Sequence, residues 1–367
     1  MAASGRRILI TTDAVGGVWQ YSIDLAKELA DAGDTVLLAV LGPSPDEGQR
    51  RCARAVQGLR LIETGSALDW MCDGPAPVEQ AARTIARLAR EHGADIIHCN
   101  NPAMAGCTRF PAPLVAMAHG CVATWWSGTH GGPPDPAFKW HGEFMRKGLL
   151  AADAVAAPSA SFAAALQEIY RLPRRPQVVH NGRPAPAVPD SAEKLDAALT
   201  VGRMWDEAKN GALLDSVAGL VDLPLMAAGT FRGPHGEQAS FSQLHALGPV
   251  SGEKLAEMMA RQPIFVSASR FEPFGLAVLE AALAGCALVL SDIPTFRELW
   301  DEAALFVDAD DAPGFADAIT QLHAEPELRG ALGEKARLRS ARHTPAAMAR
   351  SVRAIYRTLP SHHEAAA

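Results

Sequence analysis

The chain has 367 residues, 48% of them apolar and 20% charged, with a formal net charge of −7 at pH 7. That length supports two domains of ordinary size, each with its own core, and the acidic balance excludes a general nucleic-acid binder. The charge is uneven: residues 1–183 hold 18 Lys/Arg against 17 Asp/Glu, the remainder 16 against 24, which fits two domains better than one.

The amino-terminal apolar patch runs into a glycine pair without a cleavage-like site. The longest apolar run, 275–290, carries Glu280 and is short of the ~20 residues a membrane span needs. Six cysteines without C-x-x-C spacing read as reduced structural thiols of a cytoplasmic protein.

In chain order, apolar runs predict strands at 8–12, 35–40, 59–63, 95–100, 113–119, 154–159 and 177–182, with helices at 17–32, 76–92, 137–150 and 160–170 between them. The pattern then restarts, with strands at 199–203, 223–229, 245–248, 263–269, 287–292 and 304–308 and an all-helical stretch over 311–358. Continuous apolar strands alternating with helices indicate α/β architecture with parallel sheets covered on both faces. Two series indicate two doubly wound, Rossmann-like domains. The proline-rich segment RPAPAVPDSAEK marks the break. The expected division is 1–183, a linker at 184–197, a second domain at 198–343, and 344–367 as a helix returning to the first domain plus a tail.

Ligands of such sheets bind beyond the carboxyl ends of the strands. At one such end, SRFEPFGLAVLEAALAG is expected to start a helix at Pro273, with Glu272 just before it and free amides at Phe274, Gly275 and Leu276 to receive phosphate. Glu280 would lie about 12 Å along that helix, with apolar neighbours all round. A buried carboxylate needs a partner, either a ligand or a salt bridge in the core. At another strand end stand Gly202 and Arg203, with Lys209-Asn210 at the head of the next helix, two cations suited to a diphosphate. Gly16-Gly17 opens the first helix but lacks dinucleotide-site spacing, and the second strand ends in no acidic residue for a ribose. His119 closes another strand. The long loop expected after it, CVATWWSGTHGGPPDP, offers Trp125, Trp126 and His130 as a sugar-binding acceptor surface. Arg83, Arg87 and Arg90 on one face of the helix 78–92, and Arg50, Arg51 and Arg54 clustered on another helix, leave peripheral membrane contact open but not favoured.

Taken together, these residues resemble the family-4 glycosyltransferases, retaining enzymes of the GT-B fold, strongly over 198–310 and more weakly before. Glu272 and Glu280 stand as the family's Glu-x7-Glu; Gly202, Arg203 and Lys209 stand as its basic donor element. Gly16-Gly17 stands as its glycine-rich loop, His119 as its histidine after a strand, and VVHNG as the end of its first domain. The resemblance implies two domains facing across a cleft and transfer of a hexose from a nucleoside-diphosphate sugar to an unidentified glycan, lipid or small-molecule acceptor. Arg203 and Lys209 would hold the pyrophosphate, aided by the 274–276 amides. Glu280 would hold the ribose hydroxyls, and Glu272 those of the sugar, with His119 beside it. Arg203, Lys209, His119 and Glu272 are the expected catalytic set, and Gly16-Gly17 would approach the phosphate or the acceptor. No metal or cofactor is expected, and Asp308-Ala309-Asp310 is read as surface. A non-catalytic nucleotide- or sugar-binding protein and a nucleotide-sugar epimerase are the alternatives.

Overall fold

The computed structural model describes residues 5–186, 195–261 and 263–360. Most of the expected linker, 187–194, and the tail beyond 360 lie outside the described residues. The chain divides into two compact units, residues 1–182 with 345–367, and residues 183–344.

The first unit runs β1 (Arg7–Asp13), α1 (Gly17–Asp31), β2 (Thr35–Leu41), α2 (Glu47–Arg54), β3 (Leu59–Ser66), α3 (Pro75–Glu91), β4 (Ile96–Cys99), β5 (Leu114–Met117), α4 (Val122–Thr129), α5 (Lys139–Ala151), β6 (Ala154–Ala157), α6 (Ala160–Tyr170) and β7 (Gln177–Val178). Its strands pair in parallel in the order β3-β2-β1-β4-β5-β6-β7. Parallel neighbours cannot be joined by a tight turn, and every crossover of this sheet carries an α-helix except β4 to β5, which holds only the 3-10 turn Pro102–Met104. The strands of the sheet's centre are buried on both faces, hence their unbroken apolar sequences.

The second unit runs β8 (Ala198–Val201), α7 (Gly211–Ala218), β9 (Leu225–Ala228), β10 (His245–Gly248), α8 (Gly252–Arg261), β11 (Ile264–Ser267), α9 (Leu276–Leu283), β12 (Ala287–Ser291), α10 (Pro294–Trp300), β13 (Ala304–Val307), α11 (Ala312–Ala324) and α12 (Pro326–Ser340). The sheet order is β10-β9-β8-β11-β12-β13, again parallel. One apolar cluster gathers around Leu214, Val266, Val289 and Phe315, a second around Phe265, Leu279, Phe296 and Trp300. The last helix, α13 (Pro345–Thr358), places Met348, Val352, Ile355 and Tyr356 in the first unit's core beside Ile8, Tyr21 and Leu25.

Two helices of the first unit fall outside the helical ranges read from sequence. The segment expected as a long loop after His119 forms α4, with Trp125 and Trp126 on it and His130 at its carboxyl cap. The chain leaves the helix after His130, with Gly131 and Gly132 both at φ +71°, and residues 131–135 form a short loop. The other, α2, has a complete capping box between Asp46 and Gln49 but buries only Ala53. A helix with almost no apolar face leaves no periodic signal.

The basic helix faces carry their own counter-charges: Arg87 pairs with Glu91, Arg50 with Glu63 and Arg54 with Glu47. Among the described residues no helix is long and apolar enough to cross a membrane.

Candidate active site

In the second unit the chain builds outward from β8 to β10, then crosses to β11 and builds the other way. That reversal opens a crevice at the carboxyl ends of β8 and β11, the usual ligand position in an open α/β sheet. Gly202 and Arg203 follow β8, and Arg270, Phe271 and Glu272 follow β11.

The turn after β8 is organised by buried Asp206. It accepts a hydrogen bond from Arg203 Nη2 at 2.7 Å and another from the Ala208 amide at 3.1 Å. The Arg203 guanidinium also lies over the Trp205 ring, 5.5 Å from its centroid and within cation–π range. Lys209 does not head the next helix, as the sequence suggested. It ends a separate 3-10 turn, Glu207–Lys209, and Asn210 in left-handed conformation (φ 57°) turns the chain into α7. The Lys209 stem passes over Gly202, where an added Cβ would lie 3.4 Å from its Cδ. The Arg270 amide donates to the Ala208 carbonyl at 2.9 Å, which locks the Lys209 turn to the loop after β11. Across that junction Lys209 Nζ donates to the Glu272 carboxylate, with the side chains only 19% and 15% exposed.

The helix after Glu272 is shorter than expected. It starts at Leu276, not Pro273, and Gly275 caps it at φ 89°, ψ 67°. The Phe274 ring is buried beside His343, so Phe274 lies outside the helix's amino end and the first-turn amides begin at Leu276. Because residues 273–275 are not helical, the 12 Å estimate between the two glutamates does not hold. Nor is α9 buried all round: Leu276, Ala277, Glu280, Leu283 and Ala284 are each half-buried and share one face. On that apolar strip Glu280 Oε1 accepts from Arg183 Nε at 2.7 Å. Glu280 therefore meets an arginine that sequence reasoning missed, 97 positions away. The Asp308-x-Asp310 pair is self-engaged: Asp308 Oδ1 accepts the Asp310 amide at 2.9 Å, and Asp310 bonds Arg270.

In the first unit the order reverses between β1 and β4. Gly16 follows β1 in extended backbone (φ −152°), which any residue could adopt, and Gly17 opens α1. Asn100 follows β4. Its Nδ2 donates to the Thr11 carbonyl at 2.7 Å, so its Oδ1 faces His119 Nε2 at 2.9 Å. His119 therefore carries its proton on Nε2, leaving Nδ1 as an acceptor. Its ring stands edge-on to Tyr21, 4.4 Å between centroids. Tyr21 OH and Tyr356 OH meet the two nitrogens of buried His98, at 3.1 and 2.9 Å. Burial pushes His98 down to about 4 and, with His98 nearby, His119 down to about 3, so both are neutral near pH 7. Trp125, Trp126 and His130 cluster with ring centroids 4.8–6.1 Å apart.

Sequence alone did not single out Asp206, Arg183, Asn100, Tyr21 or Tyr356. Asp206 had a local signal, an acidic residue three positions after Arg203, and Asn100 another, a polar residue at a strand end.

Comparison with known proteins agrees with this architecture. Residues 15–184 match the family described as Glycosyltransferase Family 4, and residues 238–339 match Glycosyl transferases group 1, together well over half of the chain. The phosphatidyl-myo-inositol mannosyltransferase of Mycolicibacterium smegmatis is 25% identical over 95% of this chain and 91% of its own. Among solved structures, sucrose-phosphate synthase from Thermosynechococcus elongatus has a TM-score of 0.76 at 19% identity, covering 96% of this chain and 98% of its own. Anabaena HepE in complex with UDP and glucose has a TM-score of 0.75 at 16% identity, covering 96% and 100%. A chain with two Rossmann-like sheets of the GT-B fold and these matches in both halves belongs to the family-4 glycosyltransferases.

Proposed function

We propose that the protein transfers a hexose from a nucleoside-diphosphate sugar to a hydroxyl acceptor with retention of anomeric configuration and without a metal ion. The observation that carries this reading is the Lys209–Glu272 pair at the β8/β11 crevice, with Arg203 beside it. A diphosphate entering there would meet Lys209 as a point charge and Arg203 as a planar fork. Glu272, released from Lys209, would hold sugar hydroxyls, Glu280 the ribose, and the amides from Leu276 onward would face phosphate. His119, with Nδ1 as acceptor, would receive a hydroxyl of the transferred sugar.

The step breaks the bond between sugar C1 and the phosphate oxygen and forms one between C1 and the acceptor oxygen on the same face. The acceptor proton passes to the leaving phosphate, and its electron pair makes the new bond. Charge develops on the diphosphate as it leaves, where Arg203 and Lys209 act. The neutralising role a metal could fill falls to these two side chains, while the Asp308-x-Asp310 carboxylates are turned to local partners. The near-full-length relative is by its name a mannosyltransferase acting on phosphatidyl-myo-inositol. A mannosyl donor and an inositol-containing acceptor are therefore the first pair to try; the Trp125–Trp126–His130 cluster is the proposed acceptor platform.

The test is incubation with guanosine-, uridine- and adenosine-diphosphate hexoses and an acceptor panel, with and without EDTA, reading anomeric configuration by NMR. Retained configuration undiminished by EDTA is expected. Inverted product or loss of transfer in EDTA would overturn the corresponding part. Donor conversion without an acceptor would indicate an epimerase, and binding without any turnover a non-catalytic protein.

A further inference from the structure

We propose that Arg183 is a positioning residue for Glu280 and thereby sets how strongly the protein distinguishes nucleotides by their ribose hydroxyls. This rests on the reading of Glu280 as the ribose contact. The Glu280 side chain is 23% exposed and that of Arg183 18%, so neither end of the pair is freely solvated. Leu276, Ala277, Leu283 and Ala284 surround the carboxylate on its own helix and offer it no hydrogen bond. Arg183 Nε occupies Oε1 at 2.7 Å. Among the described residues the Glu280 carboxylate accepts no other hydrogen bond, which leaves Oε2 for a ligand.

Arg183 is itself anchored. Its backbone amide donates to the His343 carbonyl at 3.1 Å. The His343 ring lies edge-on to buried Phe274 and Trp300, at 5.6 and 6.2 Å between centroids. A line of fixed groups thus runs from an aromatic core through His343 and Arg183 to the Glu280 carboxylate. A glutamate on an apolar strip would otherwise sample several rotamers and lose that freedom on binding. Holding Oε1 in advance removes much of this cost and aims Oε2, the general benefit of a preorganised site.

The experiment measures binding of uridine, guanosine and adenosine diphosphates, their 2′-deoxy forms, and inorganic pyrophosphate, which lacks a ribose. For the base bound best, the wild type is expected to prefer the ribonucleotide about tenfold or more, the worth of a hydrogen bond to a charged group. Glu280→Ala should abolish that preference. Arg183→Ala should cut it to about threefold or less, weaken ribonucleotide binding and leave pyrophosphate affinity unchanged, while Arg183→Lys restores part of it. Preference kept in Arg183→Ala but lost in Glu280→Ala overturns the role of Arg183 and leaves that of Glu280 standing. Preference kept in Glu280→Ala overturns the ribose reading, and this inference with it. Tighter nucleotide binding in Arg183→Ala would make Arg183 a competitor for the carboxylate, which also overturns the proposal. If thermal melting shows that Arg183→Ala does not fold, Arg183→Gln and Arg183→Lys carry the same comparison.

Discussion

Lys209 and Glu272 form an ion pair that bridges the two strand ends on either side of the second sheet's reversal point. Each comes from a loop shaped by other residues: Asp206 folds the first, and the Arg270 amide fastens the second to it. With both side chains largely out of water, each is the other's main compensation, and removing one strands the other.

On the proposed function, Lys209→Ala is expected to lower kcat by about 10²- to 10³-fold, the usual loss when a donor to developing negative charge is removed. The loss in donor affinity should be smaller, since the charge it meets grows only as the bond breaks. Steady-state kinetics with calorimetry separate the two. A kcat within threefold of wild type would take Lys209 off the leaving diphosphate.

Gly275→Ala tests the cap of α9. At φ 89° an L-residue is strained, and the new Cβ would sit 3.0 Å from Phe296 Cε1. The two effects together should cost about 1–3 kcal/mol and lower the Tm of the second unit by about 3–10 °C. Scanning calorimetry reads this directly, and an unchanged Tm would mean that the loop relaxes.

Acid stability follows from the two imidazoles whose pKa folding lowers, those of buried His98 and half-buried His119. An unfolded histidine titrates near 6.5, and folding lowers His98 to about 4 and His119 to about 3. The unfolded chain therefore binds more protons below about pH 6.5, and each group's contribution is full above that pH and lost as pH falls through its folded value. His98 alone accounts for about 3 kcal/mol. Urea unfolding at pH 7.5, 6, 5 and 4 should show stability falling across this window, and His98→Gln should flatten the fall.

Tyr356→Phe removes the hydroxyl from His98 Nδ1 and leaves a buried imidazole nitrogen without its partner. The expected loss is about 1–3 kcal/mol of stability, measured as the shift in urea midpoint. No shift would mean that water replaces the hydroxyl.

Each of the thirteen strands among the described residues overlaps a run read from sequence, most legibly where buried parallel strands leave unbroken apolar stretches. The Glu272–Glu280 spacing was legible too, since both residues sit on one strand–loop–helix segment. Sheet order was not, because it depends on which crossovers pack, so the shared crevice of Lys209 and Glu272 could not be located. Nor could the partner of Glu280: Arg183 carries no local pattern that sets it apart from a surface arginine. The Gly275 turn was misread because proline at 273 suits a helix start, whereas the positive φ two residues later delays it.

The final helix has a consequence for synthesis. The first unit's core includes Met348, Val352, Ile355 and Tyr356, yet about 160 residues of the second unit are translated before them. At ordinary elongation rates that interval is roughly 10–30 s. Throughout that interval the first unit, begun earlier, still has a bare apolar face waiting for α13. Nascent chains stalled before residue 345 should thus present that face to chaperones.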